Sequence, residues 1–106
     1  KVAYCYGVMG GGYQPVGHTH LLTNLIDFSM DPQEAMDSPR VFHVEGRLDV
    51  ERGLGDTVMA GLEALGHKVG RPDMPWGGGQ LIEIDWENGT LAGASDPRKD
   101  GCAIGY

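Results

Sequence analysis

Gly7-Val8-Met9-Gly10-Gly11-Gly12-Tyr13-Gln14-Pro15 is the stretch on which the fold turns. Before it lies the almost wholly apolar Lys1-Val2-Ala3-Tyr4-Cys5-Tyr6, and after it a helical pattern begins near His18. Strand, glycine turn and helix in succession can bring backbone N–H groups up to an anion or a developing oxyanion, because no Cβ blocks the approach. The same succession also makes a plain tight corner, and the local residues leave both readings open. Residues 2–8 are apolar on both faces of a two-residue period, the pattern of a central buried strand. The stretch opens inside such a strand with no methionine or turn residue before it, which suggests the end of a longer chain.

Working outward, Leu21, Leu22, Leu25, Ile26 and Phe28 recur at three- and four-residue spacings from Thr19 onward. They predict a helix ending near Ser29, with Thr19, Asn24 and Asp27 off its apolar face. Asp31-Pro32-Gln33-Glu34 supplies an N-cap carboxylate, a proline at the first helical position and a glutamate placed for a capping box, so a short second helix runs to about Ser38, before Pro39. Residues 41–50 alternate loosely and read as a strand broken at Gly46. Asp56 can cap a helix whose stripe is Val58, Met59, Leu62 and Leu65, with Gly66 in the left-handed position past its end and His67 or Lys68 suiting its dipole. After a Pro- and Gly-rich loop at residues 71–79, residues 80–87 and 90–94 flank Asn88-Gly89, a strong hairpin signal with Ile82, Ile84 and Trp86 on one face. A turn at residues 96–101 then leads to a last strand at residues 102–106. The order β, α, α, β, α, β, β, β predicts a mixed α/β (α+β) fold with helices on a largely antiparallel sheet. With no internal repeat or long linker, residues 1–106 read as a single segment.

The composition limits the functions available. The chain has 106 residues, 41% of them hydrophobic and 22% charged, which is the size and make-up of one globular domain. A formal net charge of -7 and eight scattered Lys and Arg residues argue against a nucleic-acid partner. No apolar run approaches the ~18 residues of a membrane span, and residues 1–6 lack the form of a signal peptide. The compartment is therefore open, cytoplasmic or periplasmic/extracellular, and so is the number of subunits, a homo-oligomer included. Eighteen glycines, more than twice the usual share, imply many turns or close approaches. Cys5 and Cys102 lie in apolar contexts and are expected to be buried free thiols; a disulfide between them is not decidable from sequence.

Few residues announce chemistry. His18 and His20 point about 200° apart on a helix, so one metal ion is out of reach of both, and His18 is expected to pair with backbone at the helix entry. No zinc spacing, phosphate-loop Lys-Ser/Thr or dinucleotide glycine spacing occurs, so no metal or cofactor is expected. Asp27, Asp31, Glu34 and Asp37 are explained as caps and solvated faces. Asn88-Gly89-Thr90 matches a glycosylation pattern that a hairpin turn accounts for. No serine sits in a G-x-S-x-G elbow, and neither cysteine has an activating context. Glycine donors are present without an evident nucleophile.

The motifs taken together resemble the C-terminal part of gamma-glutamyltranspeptidases. The matching residues are Met9-Gly10-Gly11, Gln14-Pro15, Gly17-His18, Leu25-Ile26-Asp27-Phe28, Met30, Gln33-Glu34-Ala35 and Pro39-Arg40. Gly66-His67, Val69, Gly78-Gly79-Gln80, Gly93-Ala94-Ser95-Asp96-Pro97-Arg98-Lys99-Asp100-Gly101 and Gly105-Tyr106 extend the match over essentially the whole chain. The resemblance implies the C-terminal portion of an αββα N-terminal nucleophile hydrolase sandwich with mainly antiparallel strands. It further implies a self-cleaving proenzyme whose freed threonine attacks a γ-glutamyl amide, uses its own α-amine as base and passes the acyl group to water or an amine. In the family two adjacent glycines donate backbone N–H groups to the oxyanion, and the positions matching them are Gly10 and Gly11.

Lys1 is not that threonine, so the nucleophile and the glutamyl-binding residues are expected upstream, and the segment alone is expected to be inactive. Its implied partners are a small γ-glutamyl substrate and the rest of its own proenzyme, namely the large subunit and the N-terminal part of the small subunit. Met9 stands where transpeptidases carry a proline, and residues 12–18 are similar to the transpeptidase-like branch, so hydrolysis of a γ-glutamyl or related amide is expected ahead of transfer to an acceptor, with the choice between hydrolysis and transfer left open. A noncatalytic structural or assembly module with the same fold is the alternative, distinguished by the lack of a self-cleavage junction upstream.

Overall fold

The structure, a computed structural model, describes residues 1–106. In chain order its elements are β1 (Tyr4–Met9), α1 (Gln14–Ile26), α2 (Pro32–Asp37), β2 (Val41–Val44), β3 (Arg47–Val50), α3 (Asp56–Ala64), β4 (Val69–Gly70), β5 (Gly78–Asp85) and β6 (Thr90–Ser95), with 3₁₀ turns at Gly11–Tyr13 and Pro97–Lys99. The fold is mixed α/β, as expected. Contacts gather into two units, Lys1–Asp37 with Gly77–Tyr106, and Ser38–Trp76.

In the first unit β1, β5 and β6 form an antiparallel sheet in the order β1-β5-β6. Within residues 1–106 β5 takes the middle, and β1, expected to be central, pairs on one side only. Only Val8 of β1 is buried, because α1 and α2 cover one face of the sheet and leave Cys5, Gly7 and Met9 exposed on the other. Both cysteines are free thiols and both are exposed, against the expectation of burial. Residues 102–106 form no strand. Asp96 caps the 3₁₀ turn instead, and Asp100 in a left-handed conformation (φ 51°) ends it.

The first helix starts five residues before Thr19. Gln14 and Pro15 belong to its first turn, where proline's missing N–H has no helical partner to lose. Leu21 and Leu25 are buried as the period predicts, whereas Ile26 and Phe28 are exposed and Asn24 is buried. α1 comes close to β1 at Gly17. A Cβ there would lie 2.6 Å from Tyr13 Cε1 and 2.9 Å from Val8 Cγ1, both of buried side chains. Gly17→Ala is therefore expected to destabilise the fold, because overpacking costs roughly 1–3 kcal/mol and the helix-propensity gain of about 1 kcal/mol offsets only part of it. A lower denaturant midpoint is the expected reading.

α2 begins where Asp31 accepts hydrogen bonds from the backbone N–H groups of Gln33 and Glu34, each at 2.9 Å. Gln33 in turn treats the border of β6 as a neighbouring strand would. Its Oε1 accepts from Ser95 N–H at 3.1 Å and its Nε2 donates to Ser95 O at 3.0 Å. Asp96, fully buried, accepts from Gly79 N–H at 2.8 Å, from Arg98 N–H at 3.0 Å and from Arg98 Nη1 at 3.2 Å, while Arg98 Nη1 also donates to Met36 O at 3.1 Å. Gly79 is required beneath this network, since a Cβ would lie 2.5 Å from Met36 Sδ.

The β5–β6 hairpin forms as predicted, with Gly89 left-handed at φ 68° and Asp85 opposite Thr90. Asp85 organises the loop, accepting from Glu87 N–H, Asn88 N–H and Asn88 Nδ2 at 2.9, 3.0 and 2.7 Å. The Asn88 side-chain bond, followed by its backbone bond, holds the Asp85 carboxyl below its ordinary value of 3.8. A depressed carboxylate stabilises the fold above its unfolded pKa and loses that contribution as pH falls through the folded value. The stability difference between wild type and Asp85→Ala is thus expected to be largest above about pH 4 and to shrink toward zero in more acid solution, read from unfolding curves across pH.

In the second unit β2 and β3 form the hairpin read from sequence as one broken strand, turning through Glu45 (φ 48°) and Gly46 (φ 79°). β4, two residues parallel to β3, is too short for any periodic signal. α3 ends on left-handed Gly66 (φ 95°) as expected, with no residue of the helix buried. Arg40, almost wholly buried, donates its N–H to Glu51 Oε2 at 2.9 Å and Nη1 to Trp76 O at 2.7 Å. Glu51 Oε1 accepts from Trp76 N–H at 3.0 Å, and Phe42 meets the Trp76 ring edge-on with centroids 4.7 Å apart. The Pro39-Arg40 motif therefore serves this unit's own core, with Pro39 filling the space a Cβ on Gly53 would need.

Candidate active site

The site is built where β1 leaves its ladder. The β1–β5 register ends at Met9 opposite Gly78, so Gly10 is the first residue beyond it. Gly10 adopts φ 142°, ψ 26°, a conformation that L side chains rarely adopt, and its carbonyl accepts from Tyr13 N–H at 3.0 Å. A Cβ on Gly10 would lie 3.1 Å from Gly77 Cα, while one on Gly77 (φ 71°) would lie 2.8 Å from Met9 O. The two glycine segments thus back each other, which explains Gly77 ahead of β5. Gly11 is left-handed at φ 56°, and a Cβ on it would meet nothing within 4 Å. Gly10 and Gly11 are both exposed, so their peptide groups border solvent.

Beside this turn lies a depression of about 470 Å³ lined by Met9, Gln14, His18, Gln80 and Lys99 among others. Lys99 lies along the backbone of Gly78, where a Cβ would touch its Cγ at 2.5 Å. His18 pairs with backbone, as the sequence suggests. Its Nε2 accepts from Val8 N–H at 3.3 Å and its Nδ1 bonds Gln14 O at 2.7 Å. Val8 is buried, and a buried amide without an acceptor would cost about 1–3 kcal/mol. His20 instead lines a groove with Pro15, Val16 and Phe28, so the two histidines do face different sides.

Two of the four candidate carboxylates have structural partners, while Asp27 and Glu34 are exposed. Asp31 caps α2, Asp37 accepts from Gln33 Nε2 at 2.8 Å, and Asp27 lies where α1 ends. Asp96 and Arg98 lie in residues 96–101, which read in the sequence as a simple turn. The available signal was an Asp before Pro at a helical N-terminus. No group of three or more His, Cys, Asp or Glu side chains could hold a metal ion, and no helix is long and apolar enough to cross a membrane.

In chain order, a strand runs into paired glycines and then into a helix, beside the depression that His18, Gln80 and Lys99 help to line. Residues 1–106 match the family described as Gamma-glutamyltranspeptidase, and the chain belongs to that family. It is 38% identical over 116 residues to the glutathione hydrolase-like YwrD proenzyme of Bacillus subtilis (strain 168), covering 99% of this chain and 22% of that protein. It superposes on cephalosporin acylase from Bacillus halodurans with TM-score 0.82 and 38% identity, covering 88% of this chain and 18% of that one. On gamma-glutamyltranspeptidase from Pseudomonas nitroreducens complexed with L-DON the TM-score is 0.84 at 25% identity, covering 99% of this chain and 55% of that one. The chain thus spans about a fifth of the length of the first of these relatives, and is homologous to glutathione hydrolase enzymes.

Proposed function

We propose that this chain is the C-terminal part of the small subunit of a self-cleaving amide hydrolase of the N-terminal nucleophile class, nearer the transpeptidase-like branch, and that Gly10 and Gly11 supply its oxyanion donors. The observation that carries this reading is the pair of exposed glycine peptides beyond the end of β1, in backbone conformations that leave the outer side of Gly11 clear. A threonine from sequence outside residues 1–106 attacks the carbonyl of a γ-glutamyl or related amide, with its α-amine taking the hydroxyl proton. The carbonyl oxygen, now negative, receives the two N–H groups, the amine departs with a proton, and water releases the acyl group by the same route in reverse. The chain's own share is a fixed pair of dipoles that needs no reorganisation as charge develops.

The apolar outer face of the β1-β5-β6 sheet, with Ile82 and Leu91 exposed, supports a sandwich in which the rest of the proenzyme covers it. Assay of the full-length polypeptide with a γ-glutamyl anilide and other acyl amides, together with mass spectrometry for a new N-terminal Thr, Ser or Cys, tests the proposal. Turnover and self-cleavage are expected. If neither occurs with any amide, the fold acts as a noncatalytic assembly module instead.

A further inference from the structure

We infer that His18 is a positioning residue that staples the two ends of the glycine turn together and so keeps the Gly10 and Gly11 peptides aimed; this rests on the oxyanion reading of those glycines. Opposite Val8, Gly79 turns both its N–H and its C=O toward Asp96, and the Val8 N–H likewise points away from β5. There the acceptor is His18 Nε2, at 3.3 Å. On the other side of the ring Nδ1 lies 2.7 Å from Gln14 O, an oxygen that can only accept, so Nδ1 carries the proton and Nε2 keeps its lone pair for Val8. One imidazole thereby ties the penultimate residue of β1 to the first residue of α1, spanning Gly10, Gly11 and Gly12.

Gly11 and Gly12 have no side chains, and a Cβ on either would find no neighbour; the buried Tyr13 ring packs the end of the turn against Gly10 and Gly77, and His18 adds hydrogen bonds that reach across the glycines from β1 to α1. Gly17, the residue before the histidine, lets the helix approach Val8 closely enough for the ring to reach. Tyr6, with its centroid 5.7 Å from the imidazole, limits the ring's other orientations. Because His18 touches backbone and no reacting atom, its loss should appear in kcat, through misaimed donors, while KM stays.

In the full-length enzyme His18→Leu keeps the bulk and removes the acceptor, whereas His18→Gln can present Oε1 to Val8 N–H. The expected result is a fall in kcat of between about 10- and 100-fold for His18→Leu at unchanged KM, with most of it recovered in His18→Gln. Wild-type kcat in His18→Leu, or equal damage in both variants, overturns the inference. Should His18→Leu not fold, hydrogen exchange in the unmodified protein decides: Val8 N–H exchanging as fast as an unprotected amide overturns it, and strong protection together with an active His18→Gln upholds it. Gly11→Ala measured alongside separates the two claims. If that variant keeps full kcat the oxyanion reading fails, and if it is crippled while His18→Leu is not, only the role of His18 falls.

Discussion

Gly11→Ala in the full-length polypeptide is expected to lower kcat on an amide donor by about 10²–10³, the cost of one lost oxyanion donor. Gly11 sits at φ 56°, where an L-residue costs roughly 1–2 kcal/mol, so the new methyl drives the peptide toward ordinary helical angles and turns its N–H aside. A Cβ there meets nothing within 4 Å, so the damage should fall on the rate far more than on folding. Gly12→Ala is the control. Its Cβ also meets nothing, its φ is not left-handed, and near-wild-type kcat is expected. Equal activity in all three proteins by steady-state kinetics would remove Gly11 from the mechanism.

Asp96→Ala should have the largest effect on stability. The carboxylate is fully buried, the Arg98 side chain is one-tenth exposed, and Gly79 N–H depends on the same group. Removing one member of a buried ion pair costs about 3–5 kcal/mol, because the other charge is left without compensation. Against a typical total of about 5–15 kcal/mol, that is enough to depopulate a marginal fold. Asp96→Asn, which keeps the shape and at least one acceptor, should lose less. Urea unfolding of the three proteins checks the order, and a shift below about 1 kcal/mol for Asp96→Ala would show that Arg98 and Gly79 find other partners.

The parts of the fold written in local chemistry were legible. Asp31-Pro32 announced α2, Asn88-Gly89 the second hairpin and Gly66 the end of α3, because each signal acts within a few residues of itself. What the chain does over long range was not. The apolar run in β1 looked central, yet apolarity on both faces does not say which strand is flanked on both sides. Asn24 looked solvated and is buried, because its surroundings depend on where α1 lands. Of the candidate site, the glycine turn and the backbone pairing of His18 were visible, but its acceptor role toward Val8 required knowing that the Val8 N–H points away from β5. The buried Asp96 and Arg98 pair was hidden inside an ordinary turn motif.

At two places the backbone groups that β5 does not engage are taken by helix side chains, Val8 by His18 and Ser95 by Gln33. An intruding chain that tried to lengthen the sheet by hydrogen bonding would run into an imidazole on one flank and a carboxamide on the other, close to the glycine turn and to the Asp96 cap. Strand swapping between copies, and the runaway stacking that leads to fibrils, are thereby discouraged at those two positions.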